Sequence, residues 1–191
     1  MGERERWEEL YATGARPDRP PSEWALRAAA GLPNDLCLLD LAGGSGRHAI
    51  PLARAGHRVV LLDFSASAVR AAVRREPIVM GVVADAALLP FKPASFGVVL
   101  VTNFLERTIF PDIAALIAPG GYLVYETYTK PHLDLVHRGL ASGPTSATYL
   151  LDAGELPTLC RPLQVVTCEE GEVTDDAGRR HSARIVARRD P

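Results

Sequence analysis

Apolar runs alternate along most of the chain with segments in which apolar residues recur at helical spacing. The apolar runs predict five buried strands, over residues 36–41, 57–62, 77–84, 95–101 and 122–127. The segments between them predict helices over residues 47–55, 65–75 and 107–118, with Ser65 as the N-cap of the second. Strands that are apolar throughout and separated by helices predict a parallel sheet covered on both faces.

The two ends of the chain depart from this alternation. The N-terminal part predicts a short amphipathic helix over residues 3–12, a proline-containing loop over 14–21, and a helix from the N-cap residue Ser22 to about residue 30. The C-terminal part predicts an irregular excursion over residues 128–150, a short helix over 152–159, and strands over 163–169 and 180–188. The turn sequence GEVTDDAG between these last strands predicts an antiparallel hairpin.

Composition narrows the classes of partner. The 191 residues carry a formal net charge of −2, which gives no general attraction to nucleic acid or to an anionic membrane. No apolar run approaches the roughly 20 residues that a membrane-spanning helix needs. The charged N-terminus has no apolar stretch typical of a secretory signal, and the three cysteines form no C-x-x-C pair. We therefore expect a cytoplasmic protein without a disulfide framework or a metal site.

One stretch, residues 38–49, carries a candidate ligand site and reads LLDLAGGSGRHA. Residues 44–49 within it fit the dinucleotide fingerprint G-x-G-x-x-[G/A]. Glycines permit strained backbone and close approach of a ligand, and the following helix N-terminus presents free N–H groups to an anion. The stretch predicts a nucleotide-binding turn, with a tight strand–helix turn that binds no ligand as the alternative.

Acidic residues at strand ends extend this site. Asp63 follows Gly44 by 19 residues, at the end of the second strand, where a carboxylate can accept both ribose hydroxyls. This spacing fits NAD and S-adenosylmethionine equally well. Asp40, directly before the glycines, favours the latter because a carboxylate there can receive the ammonium of a methionine moiety. Asp85, at the end of the third strand, can accept from an adenine amino group.

Five ordered segments resemble those of class I S-adenosylmethionine-dependent methyltransferases. They read LLDLAGGSGRHA, VVLLDFSASAV, VVADAALLPF, SFGVVLVTNFL and APGGYLVYETY, and they span about residues 36–128. Within that family the chain is most similar to the small tellurite-resistance-type methyltransferases, through WEELYATG, PSEW and GPTSATYLLDAGEL. The resemblance implies an α/β fold, with a Rossmann-like, doubly wound, mostly parallel seven-stranded sheet and a C-terminal antiparallel hairpin.

The resemblance also implies one domain over residues 1–191, with three parts. Residues 1–33 form an N-terminal helical cap, residues 34–128 the cofactor-binding half, and residues 129–191 an acceptor-side excursion with the hairpin. The implied cofactor is S-adenosylmethionine, which is converted to S-adenosylhomocysteine. The implied cofactor-binding residues are Asp40, Ala42, Gly43, Gly44, Ser45, Gly46, Asp63, Phe64, Asp85, Ala86 and Asn103.

Two positions depart from the family pattern. Ala42 stands where the family's G-x-G-x-G loop has its first glycine, so the turn has to adjust. Gly97 follows Phe96 in the fourth strand, where the family commonly carries Asp. The Asn-Pro-Pro-Tyr motif of adenine N-methyltransferases is absent, because the fourth strand runs into Thr102-Asn103-Phe104-Leu105. The sequence therefore argues against methylation of DNA bases.

The acceptor side carries weaker signals, since methyl transfer from a sulfonium needs mainly proximity and orientation. Candidate catalytic residues are Asn103 and Arg107 after the fourth strand and Tyr128 at the end of the fifth. Alternation sends Tyr125 and Glu126 to opposite faces, so at most one of them points at any given site. His132 is a further candidate for the acceptor pocket, whereas packing is favoured for His48. Trp7 and Tyr11 form either a lid over the cofactor or an apolar helix face.

The C-terminal arginines raise a separate alternative. A basic run of Arg179, Arg180, His181, Arg184, Arg188 and Arg189 fits either an RNA-contacting patch or a charged edge hairpin, and the absence of net positive charge favours the hairpin. We therefore expect methyl transfer to a small molecule or small anion, without nucleic acid or membrane partners; the oligomeric state is open. The alternatives are an NAD-dependent oxidoreductase and an inactive cofactor-binding module.

Overall fold

The apolar runs form one seven-stranded sheet in the computed structural model, which describes residues 3–15, 19–33 and 37–191. The strands are β1 Leu38–Leu41, β2 Val59–Asp63, β3 Met80–Val83, β4 Phe96–Thr102, β5 Ile117–Tyr128, β6 Gln164–Asp175 and β7 Gly178–Arg188. The helices are α1 Glu3–Ala12, α2 Glu23–Ala30, α3 Ala49–Arg54, α4 Ala66–Arg75, α5 Phe110–Leu116, α6 His132–His137 and α7 Leu156–Leu159. Two 3-10 turns lie at residues 107–109 and 147–149.

The strands follow the order β3-β2-β1-β4-β5-β7-β6. The first five run parallel, while β7 pairs antiparallel with both β5 and β6. The chain order reverses between β1 and β4, where the carboxyl ends of parallel strands open a crevice for ligands. The predicted Rossmann-like sheet with its C-terminal antiparallel hairpin is therefore confirmed.

Helices cover both faces of the sheet, as the apolar strands require. The helices α2, α3 and α4 bury their apolar sides against one face, with Ala29, Leu52 and Val69 in that core. On the other face, α5 and α7 contribute Phe110 and Leu156 to a second core. Both predicted N-caps are present, since the hydroxyls of Ser22 and Ser65 accept from the N–H groups of Ala25 and Ala68 respectively.

Several element boundaries differ from the predictions. The first strand was predicted from residue 36, which lies outside the described residues, and β4 ends one residue later, at Thr102. Residues 43–48 form turns, so α3 begins only at Ala49. The predicted excursion over 128–150 contains α6 and a 3-10 turn, and the helix predicted over 152–159 is the single turn α7. Turns that are held by tertiary contacts have no regular spacing of apolar residues, so the sequence does not show where they begin and end.

The predicted third strand is much shorter than its apolar run. Only residues 80–83 of 77–84 pair, and Met80 and Val83 are 48% and 53% exposed. The strand lies at the sheet edge, and no helix forms between it and β4, as the short connection predicted. The apolar composition of residues 77–84 predicted a buried strand, but β3 lies at the sheet edge and is largely exposed.

The sequence predicts a helix that ends at residue 118, before Pro119-Gly120-Gly121. The structure instead places these three residues within β5. The helix predicted over 107–118 is a 3-10 turn followed by α5, and Ile117 already pairs with Phe96. A Cβ on Gly121 would lie 2.7 Å from the carbonyl oxygen of Gly97, so the two backbones approach closely where the strand register shifts. Gly97 thus lies at the register shift between β4 and β5. Every residue of β4 is nonetheless buried.

The C-terminal hairpin is longer than predicted. Its strands reach Asp175 and Gly178, so most of the predicted turn sequence is paired strand. Exposed cross-strand ion pairs such as Arg179 with Glu172 explain how a charged segment extends the ladder. Among residues 3–15, 19–33 and 37–191, no helix combines the length and apolar character needed to cross a membrane.

Candidate functional site

The glycine loop at the carboxyl end of β1 has an unusual backbone. Ala42, Gly44 and Gly46 have φ angles of 55°, 56° and 83°, so every second residue is left-handed. This conformation favours glycine, and Ala42 adopts it at an energetic cost. Ala42, which stands where the family has its first loop glycine, therefore occupies a left-handed position.

We expect Ala42→Gly to stabilise the folded chain. Relief of the left-handed alanine contributes roughly 1–2 kcal/mol, and the added freedom of the unfolded chain offsets about 0.4–1 kcal/mol of it. The net gain of about 1 kcal/mol corresponds to a rise in Tm of about 2–4 °C for a chain of this size, measurable by calorimetry.

The matched control is Ala71→Gly inside α4, which should lower stability by about 1 kcal/mol because glycine weakens a helix interior. A fall in Tm for Ala42→Gly would show that the methyl group contributes contacts worth more than the backbone strain.

Asp40, in β1, packs against the glycine loop. Its side chain is fully buried in β1, and its Oδ2 accepts a hydrogen bond of 3.0 Å from the N–H of Ala49, at the start of α3. Its Oδ1 is buried without a hydrogen-bond partner among the described residues. Burial raises the pKa of Asp40 to about 7, against the opposing influence of Arg47. The site therefore holds one buried acceptor that protein groups leave unsatisfied.

Asp63 holds the loop from the neighbouring strand. Its Oδ2 accepts from the N–H of Gly44 at 2.8 Å, and its Oδ1 accepts from the N–H of Ser65 at 2.9 Å. The side chain is 5% exposed at the carboxyl end of β2. A carboxylate oxygen can accept more than one hydrogen bond, so a carboxylate at this position is chemically suited to hydroxyl donors.

The remaining predicted cofactor residues lie along the same edge. Phe64 is half-buried directly after Asp63, and Ser45 is half-buried within the loop. Asp85 follows β3 and is ion-paired with Arg4. Ala86 is buried in the core beside the sheet, so its side chain contributes packing.

The helix α1 lies across this edge. Besides the ion pair of Arg4 with Asp85, the carboxylate of Glu8 accepts from the hydroxyls of Ser65 and Ser67, each at 2.6 Å. The Tyr11 hydroxyl lies against Gly44 so closely that a side chain there would clash with it. This contact places Tyr11 beside the glycine loop, where the predicted lid would lie.

These residues fit an adenosine cofactor with an amino-acid tail. The unsatisfied Asp40 Oδ1 is suited to an ammonium, Asp63 to hydroxyl donors, and Asp85 to an amino group. A ligand can contact the backbone of the glycine loop because glycines carry no side chain. At Gly43 a side chain would also clash, since a Cβ would lie 2.8 Å from the carboxyl group of Asp40. A cofactor there would share Asp85 with Arg4 or displace it.

Beside the loop lies a small polar cleft that contains two of the candidate acceptor residues. Asn103 and Tyr128 line it, at the carboxyl ends of β4 and β5. Asn103 has a φ of 54°, and its N–H donates to the carbonyl oxygen of Glu126 at 2.8 Å. The other lining residues are Arg19, Ser22, Arg47, Glu126, Ala177 and Arg180. Sequence reasoning missed most of this set, because its members come from distant segments.

Arg107 lies elsewhere. Its guanidinium donates to both carboxylate oxygens of Glu155, at 2.6 and 2.9 Å, and to the carbonyl oxygens of Thr148 and Leu150. It does not line the cleft. These bonds assign Arg107 to joining the segment after β4 to the segment before α7.

The two histidines near the cleft are buried. Nε2 of His48 accepts from the N–H of Ser22 at 2.9 Å, so Nδ1 carries the proton and lies 3.2 Å from the Thr102 hydroxyl. Burial holds the pKa of His48 well below its usual value, so the ring is neutral and joins the N-terminal segment to β4. His132 packs against the Tyr128 ring with 4.4 Å between ring centroids.

The C-terminal arginines do not form an exposed basic patch. Arg180 and Arg184 are buried and both bind Glu126, while Arg188 and Arg189 donate to backbone carbonyls. The burial of Arg180 and Arg184 interrupts the basic run, while Arg179 and Arg188 remain exposed.

Comparison with known proteins identifies related sequences. Residues 38–121 match a family described as "Methyltransferase domain". The demethylmenaquinone methyltransferase of Renibacterium salmoninarum is 31% identical over 138 residues, which cover 69% of this chain and 51% of the relative. That of Beutenbergia cavernae is 38% identical over 100 residues, covering 49% and 41%. The chain thus matches only about half the length of these relatives.

Solved structures share the fold. A methyltransferase from Methanosarcina mazei described as S-adenosylmethionine-dependent gives a TM-score of 0.71 at 20% identity, covering 90% of this chain and 99% of the other. The geranyl diphosphate C-methyltransferase of Streptomyces coelicolor A3(2), solved with S-adenosylhomocysteine, gives 0.69 at 16% identity and covers 99% of both chains. Fold, ordered motifs and sequence relatives agree: the chain belongs to the class I S-adenosylmethionine-dependent methyltransferases.

Proposed function

We propose that this chain transfers a methyl group from S-adenosylmethionine to a small-molecule acceptor. One observation carries the proposal: the carboxylates of Asp40 and Asp63, on neighbouring strands, both lie against the glycine loop, Asp40 beside Gly43 and Asp63 bonded to the N–H of Gly44. Asp40 keeps an oxygen without a hydrogen-bond partner among the described residues, and the carboxylate of Asp63 is chemically suited to hydroxyl donors. The arrangement suits a ligand that carries both an ammonium and a ribose.

The roles of the residues follow from their positions. Asp40 binds the ammonium, the loop from Ala42 to Gly46 contacts the amino-acid tail, and Asp63 binds the ribose. Phe64 flanks the adenine, while Asp85 and the backbone at Ala86 meet its edge. Asn103, at the end of β4 beside β1, lies between the cofactor edge and the cleft.

The cofactor, when bound, supplies a methyl group on a sulfonium whose bonding electron pair stays with sulfur on transfer. The protein's contribution is then to hold the acceptor in line with that methyl group and to exclude water. Buried His48 is neutral and bonded at both ring nitrogens, so it holds the site together and does not accept the acceptor's proton. No residue of this chain is required as a base if the acceptor arrives as an oxyanion or thiolate.

The relatives named demethylmenaquinone methyltransferase make demethylmenaquinone one acceptor to assay. Small hydroxylated and thiol-containing anions form the second group, because the cleft beside the loop is lined by charged and polar side chains. Both groups belong to the small-molecule class that the sequence predicts.

The test is calorimetric titration of cofactor-free protein with S-adenosylhomocysteine, and in parallel with NAD. We expect micromolar binding of S-adenosylhomocysteine and no binding of NAD. Binding of NAD alone would overturn the proposal in favour of hydride transfer. A second step follows methyl transfer from S-adenosylmethionine to the acceptor panel by mass spectrometry. Cofactor binding without turnover on any acceptor would favour the inactive cofactor-binding module.

A further inference from the structure

The helix α1 is held on the cofactor edge by a polar face. Arg4, Glu8 and Tyr11 follow one another at i, i+4 and i+7, which places them on one side of the helix. From residue 4 to residue 12, every residue of α1 is exposed or only half-buried, and neither apolar core includes one of them, whereas α2 buries Ala29 completely. The helix α1 can therefore leave the domain without opening a core.

The two ends of this polar face contact residues that we assign to the cofactor. Arg4 is ion-paired with Asp85, the acid proposed to meet the adenine edge. One helix face away from it, the Tyr11 hydroxyl lies against Gly44, in the loop proposed to contact the amino-acid tail. The ring of Trp7 lies beside that of Tyr11, with 6.3 Å between the ring centroids. Both ends of the proposed cofactor site are thus in contact with α1.

The middle of the face is fixed by Glu8 at the start of α4. Its carboxylate accepts from the hydroxyls of Ser65 and Ser67, each at 2.6 Å, and from the N–H of Ser67 at 3.3 Å. Hydrogen bonds from the two hydroxyls hold the pKa of Glu8 below its usual value, so it is a carboxylate at neutral pH. The N–H of Ser65 donates to Asp63, so this contact adjoins the acid proposed to bind the ribose.

The cofactor and α1 in this position require the same groups. The helix rises about 10 Å between Arg4 and Tyr11, so it reaches from the adenine end of the proposed site to the tail end. Arg4 is paired with the carboxylate to which the adenine amino group would donate. The Tyr11 hydroxyl occupies space over Gly44 that the tail requires. A helix that merely closed over a bound cofactor would leave Asp85 and Gly44 facing the ligand.

We infer that α1 is an autoinhibitory strap, which lies on the cofactor edge of the ligand-free chain and is displaced when S-adenosylmethionine binds. This inference rests on the proposed function and concerns access to the same site. The apparent affinity for the cofactor is then the intrinsic affinity multiplied by the fraction of molecules in which α1 has left the edge. Variants that weaken the contacts of α1 should therefore bind the cofactor more tightly.

The first test compares Glu8→Ala with Glu9→Ala, the matched control, which makes the same exchange at the next, exposed position of α1. Affinity of the full chain for S-adenosylhomocysteine is measured by calorimetry, and its association rate by stopped-flow fluorescence. We expect Glu8→Ala to bind about fivefold more tightly through faster association, and Glu9→Ala to bind like the wild type. Unchanged or weaker binding by Glu8→Ala would overturn the inference.

A second variant tests the adenine end of the strap. Arg4→Gln removes the ion pair with Asp85 and should tighten S-adenosylhomocysteine binding two- to threefold, because the pair is largely exposed. Its matched control is Arg6→Gln, at an exposed position of the same helix. Weaker binding by Arg4→Gln would show that Arg4 contacts the bound cofactor, and displacement of α1 would then be wrong.

Hydrogen exchange reports the movement of α1 in the wild type. Saturating S-adenosylhomocysteine should speed exchange in residues 3–12 at least threefold at sub-second labelling times, because the displaced helix loses its contacts. Slower exchange would show that α1 closes over the cofactor as a lid. Unchanged exchange would show that α1 stays in place. Either of these results contradicts the strap.

The outcomes separate this inference from the proposed function. If S-adenosylhomocysteine binds neither the wild type nor Glu8→Ala, the proposed cofactor is wrong and the inference fails with it. If it binds the wild type without faster exchange in α1 and without tighter binding by Glu8→Ala, the methyltransferase proposal stands and only the strap is wrong. Binding to Glu8→Ala alone would support both, with α1 excluding the cofactor from the wild type.

Discussion

Replacing Asp63 with asparagine is expected to weaken S-adenosylhomocysteine binding about 100-fold. Asparagine loses the charge that strengthens hydrogen bonds from the ribose hydroxyls, each worth roughly 1.5–3 kcal/mol. It also presents an NH2 group toward the N–H of Gly44 or of Ser65, both of which donate to the carboxylate now. Donor facing donor displaces the glycine loop, so the two effects add to about 3 kcal/mol. Calorimetric titration measures the loss directly.

The matched control is Asp152→Asn. Asp152 is exposed and ion-paired with Lys130, so its variant should bind S-adenosylhomocysteine like the wild type. The Tm of each variant is recorded in parallel. A local displacement of the loop should lower the affinity strongly with only a small change in Tm, whereas global destabilisation would lower both. An Asp63→Asn protein that binds within threefold of wild type would show that the ribose lies elsewhere.

Asp40→Asn is expected to change the pH dependence of folding. The carboxyl has a pKa of about 7 in the folded chain because it is buried, against roughly 3.9 in an unfolded chain. Below about pH 4 both states hold the proton and the group does not affect stability. As pH rises from about 4 to 7, the unfolded chain releases the proton first, so stability falls, and above pH 7 the loss is constant.

The size of the effect follows from the same shift. Three pKa units correspond to about 4 kcal/mol, which removal of the ionisable group should return to the apo protein at pH 8. Urea unfolding of the wild type between pH 5 and 8 should therefore show declining stability, with a much flatter profile for Asp40→Asn. An identical slope in both proteins would assign the titration to other groups.

The same variant should behave in the opposite way toward the cofactor. In the wild type, binding of an ammonium at Asp40 requires the carboxylate, so affinity for S-adenosylhomocysteine should rise as pH increases from about 5.5 to 7. Asp40→Asn should lose this rise and bind about tenfold more weakly at pH 8, since one charge-assisted contact is gone. A variant that is both more stable and weaker in binding would identify Asp40 as a residue held ready for a ligand.

Local rules account for most of the fold. Apolar runs bounded by helix caps at Ser22 and Ser65 identified the core of each central strand and the helices between them. Where an element packs against several others, as β1, β2 and β4 do, burial and apolar composition agree and the prediction is confirmed. Where it lies at an edge or within a bulge, as for Met80 and Gly121, composition and environment diverge and the boundaries were wrong.

The sequence by itself determined the class of the protein, through the glycine loop and the ordered acids Asp40, Asp63 and Asp85. These residues lie at or next to the carboxyl ends of their strands, so their placement depends mainly on strand order. The tertiary structure alone decided how α1 reaches the loop and Asp85, and that Arg107 joins two segments. It also decided that the cleft draws on Arg19, Glu126 and Arg180. Contacts between residues so far apart in the chain depend on packing and register, which no local pattern encodes.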